Sequence, residues 1–333
     1  MNEINTQKTY FAISDIHGFY DEMVSALRHA GYSKKDKGHI LIVIGDLFDR
    51  GSGAVKTYKY LKSIPQSRLI LLKGNHEELY FELLDKDYPQ RHDFSNMTVD
   101  TFCQIAGKEY LEGKEHIKTA VWLEQFLYKP NYDAPTTKDN EFDNTEEAHK
   151  LWIEIRDIVR EHEITKWLKK PIWKEYYELG DYIFTHSFIP TRPIDDHNWK
   201  KYPSYDENFL EVVPNWRTEA TEKQWASAHW GCPWKQYKLG LFKEEETNGK
   251  ILVCGHWHTS DFFEHLGNYA DLRDNQSIFR GKNIIAIDGG VFGHWAWYGY
   301  VLSHPQNVLV IRGRLCCDAF GFELENMEKE ASE

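Results

Sequence analysis

The chain has 333 residues, 41% of them hydrophobic and 15% aromatic, which is too much apolar mass for global disorder and enough for one large α/β domain with insertions or for two domains. Its 40 Lys and Arg stand against 52 Asp and Glu, a formal net charge of -12 that excludes a surface built for general contact with nucleic-acid backbones. No run of about 18 apolar residues is present and the opening MNEINTQKTY lacks a signal-like apolar stretch, so neither a membrane-spanning helix nor secretion is expected.

The first apolar run, Tyr10 to Ile13, ends in Ser14-Asp15-Ile16-His17-Gly18. A helical pattern follows, with Met23, Leu27 and Ala30 on one face. The second run, Ile40 to Ile44, ends in Gly45-Asp46-Leu47-Phe48-Asp49-Arg50-Gly51. Val55, Tyr58 and Leu61 then share a second helical face. The third run, Leu69 to Leu72, ends in Lys73-Gly74-Asn75-His76-Glu77. Continuous apolar runs of this length predict strands buried on both faces. The steps from Asp15 to Asp46 and from Asp46 to Asn75 are 31 and 29 residues. One β-α-β unit takes about 30 residues, so these are expected to be successive strand ends of a parallel sheet.

Residues 93–178 then read as a helical insertion, broken by the polar stretch 129–145. No Trp occurs before Trp122, and a second, irregular aromatic-rich insertion is expected at 190–248. These tryptophans are expected to form the insertions' own packing; base stacking is the alternative. Further strands are predicted at Tyr182 to Thr185, Ile251 to Cys254, Asn283 to Ile287, Trp297 to Leu302 and Val308 to Ile311. The first three end in His186-Ser187, Gly255-His256-Trp257-His258 and Asp288-Gly289-Gly290. The polar tail ENMEKEASE is expected to fray. Cys103, Cys232, Cys254, Cys316 and Cys317 are odd in number and lack C-x-x-C spacing, so reduced thiols in a cytoplasmic protein are expected.

Ligands in open α/β sheets bind beyond the carboxyl ends of the strands. The strand ends here carry Asp15, His17, Asp46, Asn75, His186, His256 and His258. Carboxylate, imidazole and amide oxygen without thiolate suit Mn, Fe or Zn. Seven candidate ligands are too many for one ion and suit two ions sharing a bridging carboxylate. Two divalent ions about 3.5–4 Å apart can clamp both the attacking and the leaving oxygen of an in-line displacement, and they lower the pKa of a bound water.

The series Asp15-Ile16-His17-Gly18, Gly45-Asp46-Leu47-Phe48-Asp49-Arg50-Gly51, Gly74-Asn75-His76-Glu77, His186 and Gly255-His256-Trp257-His258 resembles the calcineurin-like metallophosphoesterase superfamily. The forms DxHG, GDxxDRG and GNHE are those of its phosphoprotein-phosphatase branch, which includes bacterial serine/threonine phosphatases and symmetrical diadenosine tetraphosphate hydrolases. The sequence departs from that branch at Trp257-His258, where GHT is usual. The resemblance implies a single α/β domain over 1–333, a four-layer β-sandwich flanked by helices. It implies that Asp15, His17 and His258 bind a first divalent ion, that Asp46 bridges, and that Asn75, His186 and His256 bind a second. By the same resemblance His76 is a general acid oriented by Asp49, and Arg50 binds phosphate. A second arginine is usual; Arg217 is the first candidate and Arg192 the next. Glu77 is expected to cap or orient its neighbours.

The implied reaction is hydrolysis of a phosphate ester by direct attack of a metal-activated water. The expected substrate is phosphoserine or phosphothreonine in a protein, or a small phosphomonoester. Rival readings are a symmetrical dinucleoside polyphosphate hydrolase, a nucleic-acid end phosphatase and a metal-binding interaction scaffold.

Overall fold

The computed structural model describes residues 3–128, 144–194, 210–267, 276–291, 306–313 and 315–324. Strands β1 (Thr9–Ser14), β2 (His39–Ile44) and β3 (Leu69–Leu72) are parallel neighbours joined by helices α1 (Tyr20–His29) and α2 (Ala54–Lys62). The 30-residue spacing thus has the structural meaning expected of it. Helix α3 (Asn75–Leu84) starts within the third motif, at Asn75.

Helices α4 (Arg91–Ser95), α5 (Thr98–Ile105), α6 (Thr119–Leu127), α7 (Thr145–Glu161) and α8 (Glu163–Leu168) follow, with a small hairpin of β4 (Tyr110–Leu111) and β5 (Lys114–Lys118) between α5 and α6. Helix α7 buries Ala148, Trp152, Ile155 and Val159, one stripe at helical spacing. That stripe joins Phe102 of α5, Tyr80 and Leu83 of α3, and Trp167 of α8 in one cluster. Truncating a fully buried aromatic such as Trp152 to Ala costs about 3–5 kcal/mol.

Short β6 (Trp173–Lys174) pairs with β3. Then come β7 (Tyr176–Leu179), β8 (Tyr182–Thr185), the surface pair β9 (Thr191–Pro193) and β10 (Leu210–Val212), β11 (Ile251–Cys254), β12 (Phe279–Arg280), β13 (Ile284–Ala286), β14 (Leu309–Arg312) and β15 (Leu315–Cys317). The strand predicted at Trp297 to Leu302, most of the polar break and the tail lie outside the described residues.

Two main sheets result. One has the order β15-β14-β1-β2-β3-β6, the other β12-β13-β11-β8-β7. Strand alternation decides what each face touches. Tyr10, Ala12, Ile42 and Ile44 meet Phe184, Val253 and Ile285 of the other sheet. Phe11, Ile13, Leu41 and Val43 turn instead to the α1–α8 layer. On the second sheet, Ile183, Leu252, Cys254 and Ile284 turn outward to Trp216, Trp225, Phe262 and Phe263. The fold is therefore helix, sheet, sheet, helix, as the motifs implied. In each sheet the strands that carry motifs are parallel, so their carboxyl ends open on the same rim. None of the described helices is long and apolar enough to cross a membrane. No disulfide joins the described cysteines, and all but Cys317 are buried.

Candidate metal centre

The rim is built from turns held in costly backbone conformations. Among the described residues nine non-glycine residues have positive φ, and six of them are Asp15, His17, Asp46, Asp49, Arg50 and His256. A left-handed conformation is unfavourable for these side chains and persists where the surroundings over-determine it, which is common at functional sites. Two glycines show how tight the turns are. A Cβ on Gly74 would fall on Asp46 Oδ1, and one on Gly255 would fall on Asp15 Oδ2.

Asp46 is the centre. His186 Nε2 lies 3.4 Å from its Oδ1, while His17 Nε2 and His76 Nε2 lie 3.6 and 3.9 Å from its Oδ2. Two groups of ligand atoms converge on it: His17, Asp46 and His76, and Asp46, His186 and His256. Although burial pushes the Asp46 carboxyl up, the imidazoles of His186, His76, His17 and His256 together hold it well below the usual carboxylate range. Burial lowers His17, His186 and His256, so they favour the neutral form a metal ligand needs.

The tautomers follow from the outer contacts. His17 Nδ1 is 3.1 Å from the Phe48 carbonyl and His186 Nδ1 is 2.9 Å from the Ile44 carbonyl. Each Nδ1–H donates to main chain, which leaves both Nε2 lone pairs facing Asp46. His186 Nε2 also lies 2.8 Å from Asn75 Oδ1. Nitrogen lone pair, amide oxygen and carboxylate oxygen thus converge with no proton assigned between them, an arrangement a cation resolves. Asp15 adds a further donor: its Oδ2 accepts from His256 N at 3.0 Å, while its Oδ1 is buried without a hydrogen-bond partner. Burial first, then Asp288 and Asp46, raise the Asp15 carboxyl well above its ordinary value, a cost that a bound cation would offset. The donors fit divalent ions of the Mn, Fe or Zn kind.

His76 lies beside Asp46 with its other nitrogen committed. Its Nδ1 is 2.6 Å from Asp49 Oδ2. That oxygen also accepts from Thr98 Oγ1 at 2.9 Å, and Asp49 N donates to Thr101 Oγ1 at 3.0 Å. Burial favours the neutral ring, yet Asp46 and Asp49 outweigh it and raise the His76 pKa. Arg50 reaches over both imidazoles, with Nη1 3.1 Å from His17 Nε2 and Nη2 3.5 Å from His76 Nε2. Glu77 organises the turns from beneath. Its carboxylate accepts from the backbone N–H groups of Gly74, Asp46 and Leu47 at 2.8, 3.0 and 2.9 Å. Burial, reinforced by Asp46, pushes its pKa up to about 7.

Two sequence candidates, Arg217 and Arg192, are not brought into this cluster. Arg217 is corrected outright. Its Nε is 2.6 Å from Glu178 Oε1, and its Nη1 and Nη2 donate to the carbonyls of Glu246 and Thr247. Glu178 pairs with Ile183 near the amino end of β8, away from the rim, so this guanidinium is spent on packing. Arg192 pairs at 2.7 Å with Glu211 on the surface hairpin. His258 belongs to neither converging group. It stands at the start of the helix Thr259–Leu266, with its ring against Gly290.

Thr98, Thr101 and Asp288 were not among the sequence candidates. Asp288 is buried at a strand end, and the strand-end rule that selected Asp15 could have selected it. The two threonines lie about 50 residues from Asp49, without a local signal.

The sequence model of the calcineurin-like phosphoesterase family matches residues 9–260. The chain belongs to that family. An asymmetrical bis(5′-nucleosyl)-tetraphosphatase of Bacillus velezensis is 36% identical over 74 residues, 20% of this chain and 30% of that one. A symmetrical bis(5′-nucleosyl)-tetraphosphatase of Buchnera aphidicola is 42% identical over 69 residues, 21% of this chain and 24% of that one. These matches therefore span less than a third of each relative. Among solved structures, a cold-active protein-tyrosine phosphatase of a psychrophilic Shewanella species aligns over 98% of this chain and 82% of its own, with 15% identity and a TM-score of 0.48.

Proposed function

We propose that this calcineurin-like phosphoesterase hydrolyses phosphate esters at a two-metal centre. The observation that carries the reading is the convergence of His17 and His186 Nε2 on the shared carboxylate Asp46, with Asn75 Oδ1 against the same His186 nitrogen. Asp15 and His17 would hold one ion, Asn75, His186 and His256 the other, with Asp46 between them. The bound ions would supply an activated water and neutralise charge on the phosphate.

The protein's own residues do the rest. Asp46 and Asp49 raise the His76 pKa and Asp49 aims the ring, so that an Nε2 proton can pass to the leaving oxygen. Arg50 presents a planar fork to the phosphate oxygens. Asp46, kept ionised at the centre, offsets repulsion between the cations. Glu77 and the strained turns fix these groups before substrate arrives, so little reorganisation is left for the transition state.

The substrate reading is a phosphomonoester, either phosphoserine or phosphothreonine in a protein or a small molecule. A dinucleoside polyphosphate is the second reading, favoured by what the two bis(5′-nucleosyl)-tetraphosphatases are named for. The test is phosphate release from p-nitrophenyl phosphate, a phosphoserine peptide and diadenosine tetraphosphate with added Mn. Turnover that a chelator abolishes and Mn restores is expected. Mn binding without turnover of any ester would leave a metal-binding scaffold as the better account.

A further inference from the structure

Trp152, Trp167, Trp216 and Trp225 are buried in the two outer cores, whereas Trp230 is 39% exposed, and no other tryptophan among the described residues is exposed. Its ring centroid lies 6.1 Å from that of His256, with an interplanar angle of 87°. The indole therefore stands beside one ligand of the cluster while part of its surface reaches solvent.

A single exposed aromatic is ordinary. This one differs because its backbone is anchored on both sides. Before it, His229 is buried with Nδ1 2.7 Å from Glu78 Oε1 and Nε2 3.2 Å from Glu175 Oε2. After it, the Gly231 carbonyl accepts from Ser187 Oγ at 2.8 Å and from Trp257 Nε1 at 3.0 Å. Ser187 and Trp257 each follow a candidate ligand, His186 and His256, and Glu78 lies on α3 with Asn75 and His76. The elements that carry the cluster therefore also fix the position of Trp230. A rigid backbone bearing an exposed aromatic beside a reactive centre is the form of a binding platform.

We propose that Trp230 is the stacking platform for the base of a nucleotide substrate whose phosphate sits at the metal centre. This rests on the phosphoesterase reading and adds a substrate class and a specificity residue to it. The bicyclic indole offers a face that matches a purine, and stacking of a base on an aromatic side chain needs no sequence-specific hydrogen bonds. The platform fits a nucleotide base; a phosphotyrosine ring is the rival that the test separates.

The test compares wild type, Trp230→Ala and Trp230→Phe, each loaded with Mn and checked for metal content. Kinetics on adenosine 5′-monophosphate, phosphoserine and phosphotyrosine are paired with calorimetric binding of adenosine 5′-monophosphate and of inorganic phosphate. In Trp230→Ala the kcat/KM ratio of the nucleotide to phosphoserine should fall about tenfold, mainly through KM, with a similar loss of nucleotide affinity relative to phosphate. Trp230→Phe should recover most of both. Equal losses on nucleotide and phosphoserine, a loss confined to phosphotyrosine, or a wild type that binds the nucleotide no better than phosphate would each overturn the platform while leaving the phosphoesterase reading intact. A wild type that hydrolyses no ester, yet binds the nucleotide through Trp230, would overturn the phosphoesterase reading and keep the platform.

Discussion

Asp46 and His76 occupy the same cluster but are asked for different things. Asp46 is surrounded by imidazoles and stays ionised, as a bridging ligand must. His76 has its Nδ1 taken by Asp49, and the two carboxylates raise its pKa. Replacing His76 with Ala should lower kcat about 10²–10⁴-fold, the usual worth of a positioned acid, while metal content measured by mass spectrometry stays near that of the wild type. Asp46→Asn should lose metal as well as turnover. If His76→Ala also emptied the site, His76 would be a ligand, as its place in the His17–Asp46–His76 group allows. These residues were legible in the sequence because each belongs to a contiguous strand-end motif. Arg217 was misread because an arginine's partners are rarely local: its carboxylate, Glu178, lies 39 residues away, and only the fold shows that it is already taken.

At the scale of elements, the site is made where strands stop. The β-α-β spacing of the first third predicted the parallel order of β1, β2 and β3, since a buried strand and its crossover helix have little freedom of length. The hairpin β4–β5 was not legible, because Lys114–Lys118 is mostly polar and exposed and has no buried face to impose alternation. The role of α5 was hidden too. Its Thr98 and Thr101 reach back to Asp49 from a helix that reads simply as part of an insertion. Helix α5 thus connects the outer helical layer to the candidate general acid. Thr98→Val should remove one of the hydrogen bonds that fix Asp49, at a cost of about 1–3 kcal/mol for the buried acceptor left short. The expected readout is a lower kcat and a shifted pH optimum with metal content retained; an unchanged pH profile would show that Asp49 is held well enough without it.

Across the whole molecule, the second aromatic-rich segment is tied to the first sheet by charge. His229 lies between Glu78 of α3 and Glu175, and Glu175 also meets Lys73 at 2.5 Å. Burial alone would lower the His229 pKa, but Glu175 and Glu78 outweigh it and raise it to about 9. An imidazole whose folded-state pKa is raised stabilises the fold fully below its ordinary value of 6.5, and loses that contribution as pH climbs through about 9. The stability gap between wild type and His229→Gln, measured by urea unfolding, should therefore be largest near pH 6 and narrow by pH 9.5, with an upper bound of about 3 kcal/mol. A gap constant with pH would mean that the ring packs there in its neutral form. The same clamp holds the chain beside Trp230, so loosening it should also blunt nucleotide selectivity.

The catalytic expectations depend on two cations sharing Asp46. The most direct measurement is the rate of p-nitrophenyl phosphate hydrolysis as metal-free protein is titrated with Mn. The rate should rise and then level off at about two equivalents per chain, as a two-metal clamp requires. A plateau at one equivalent, or no turnover at any loading, would contradict the account.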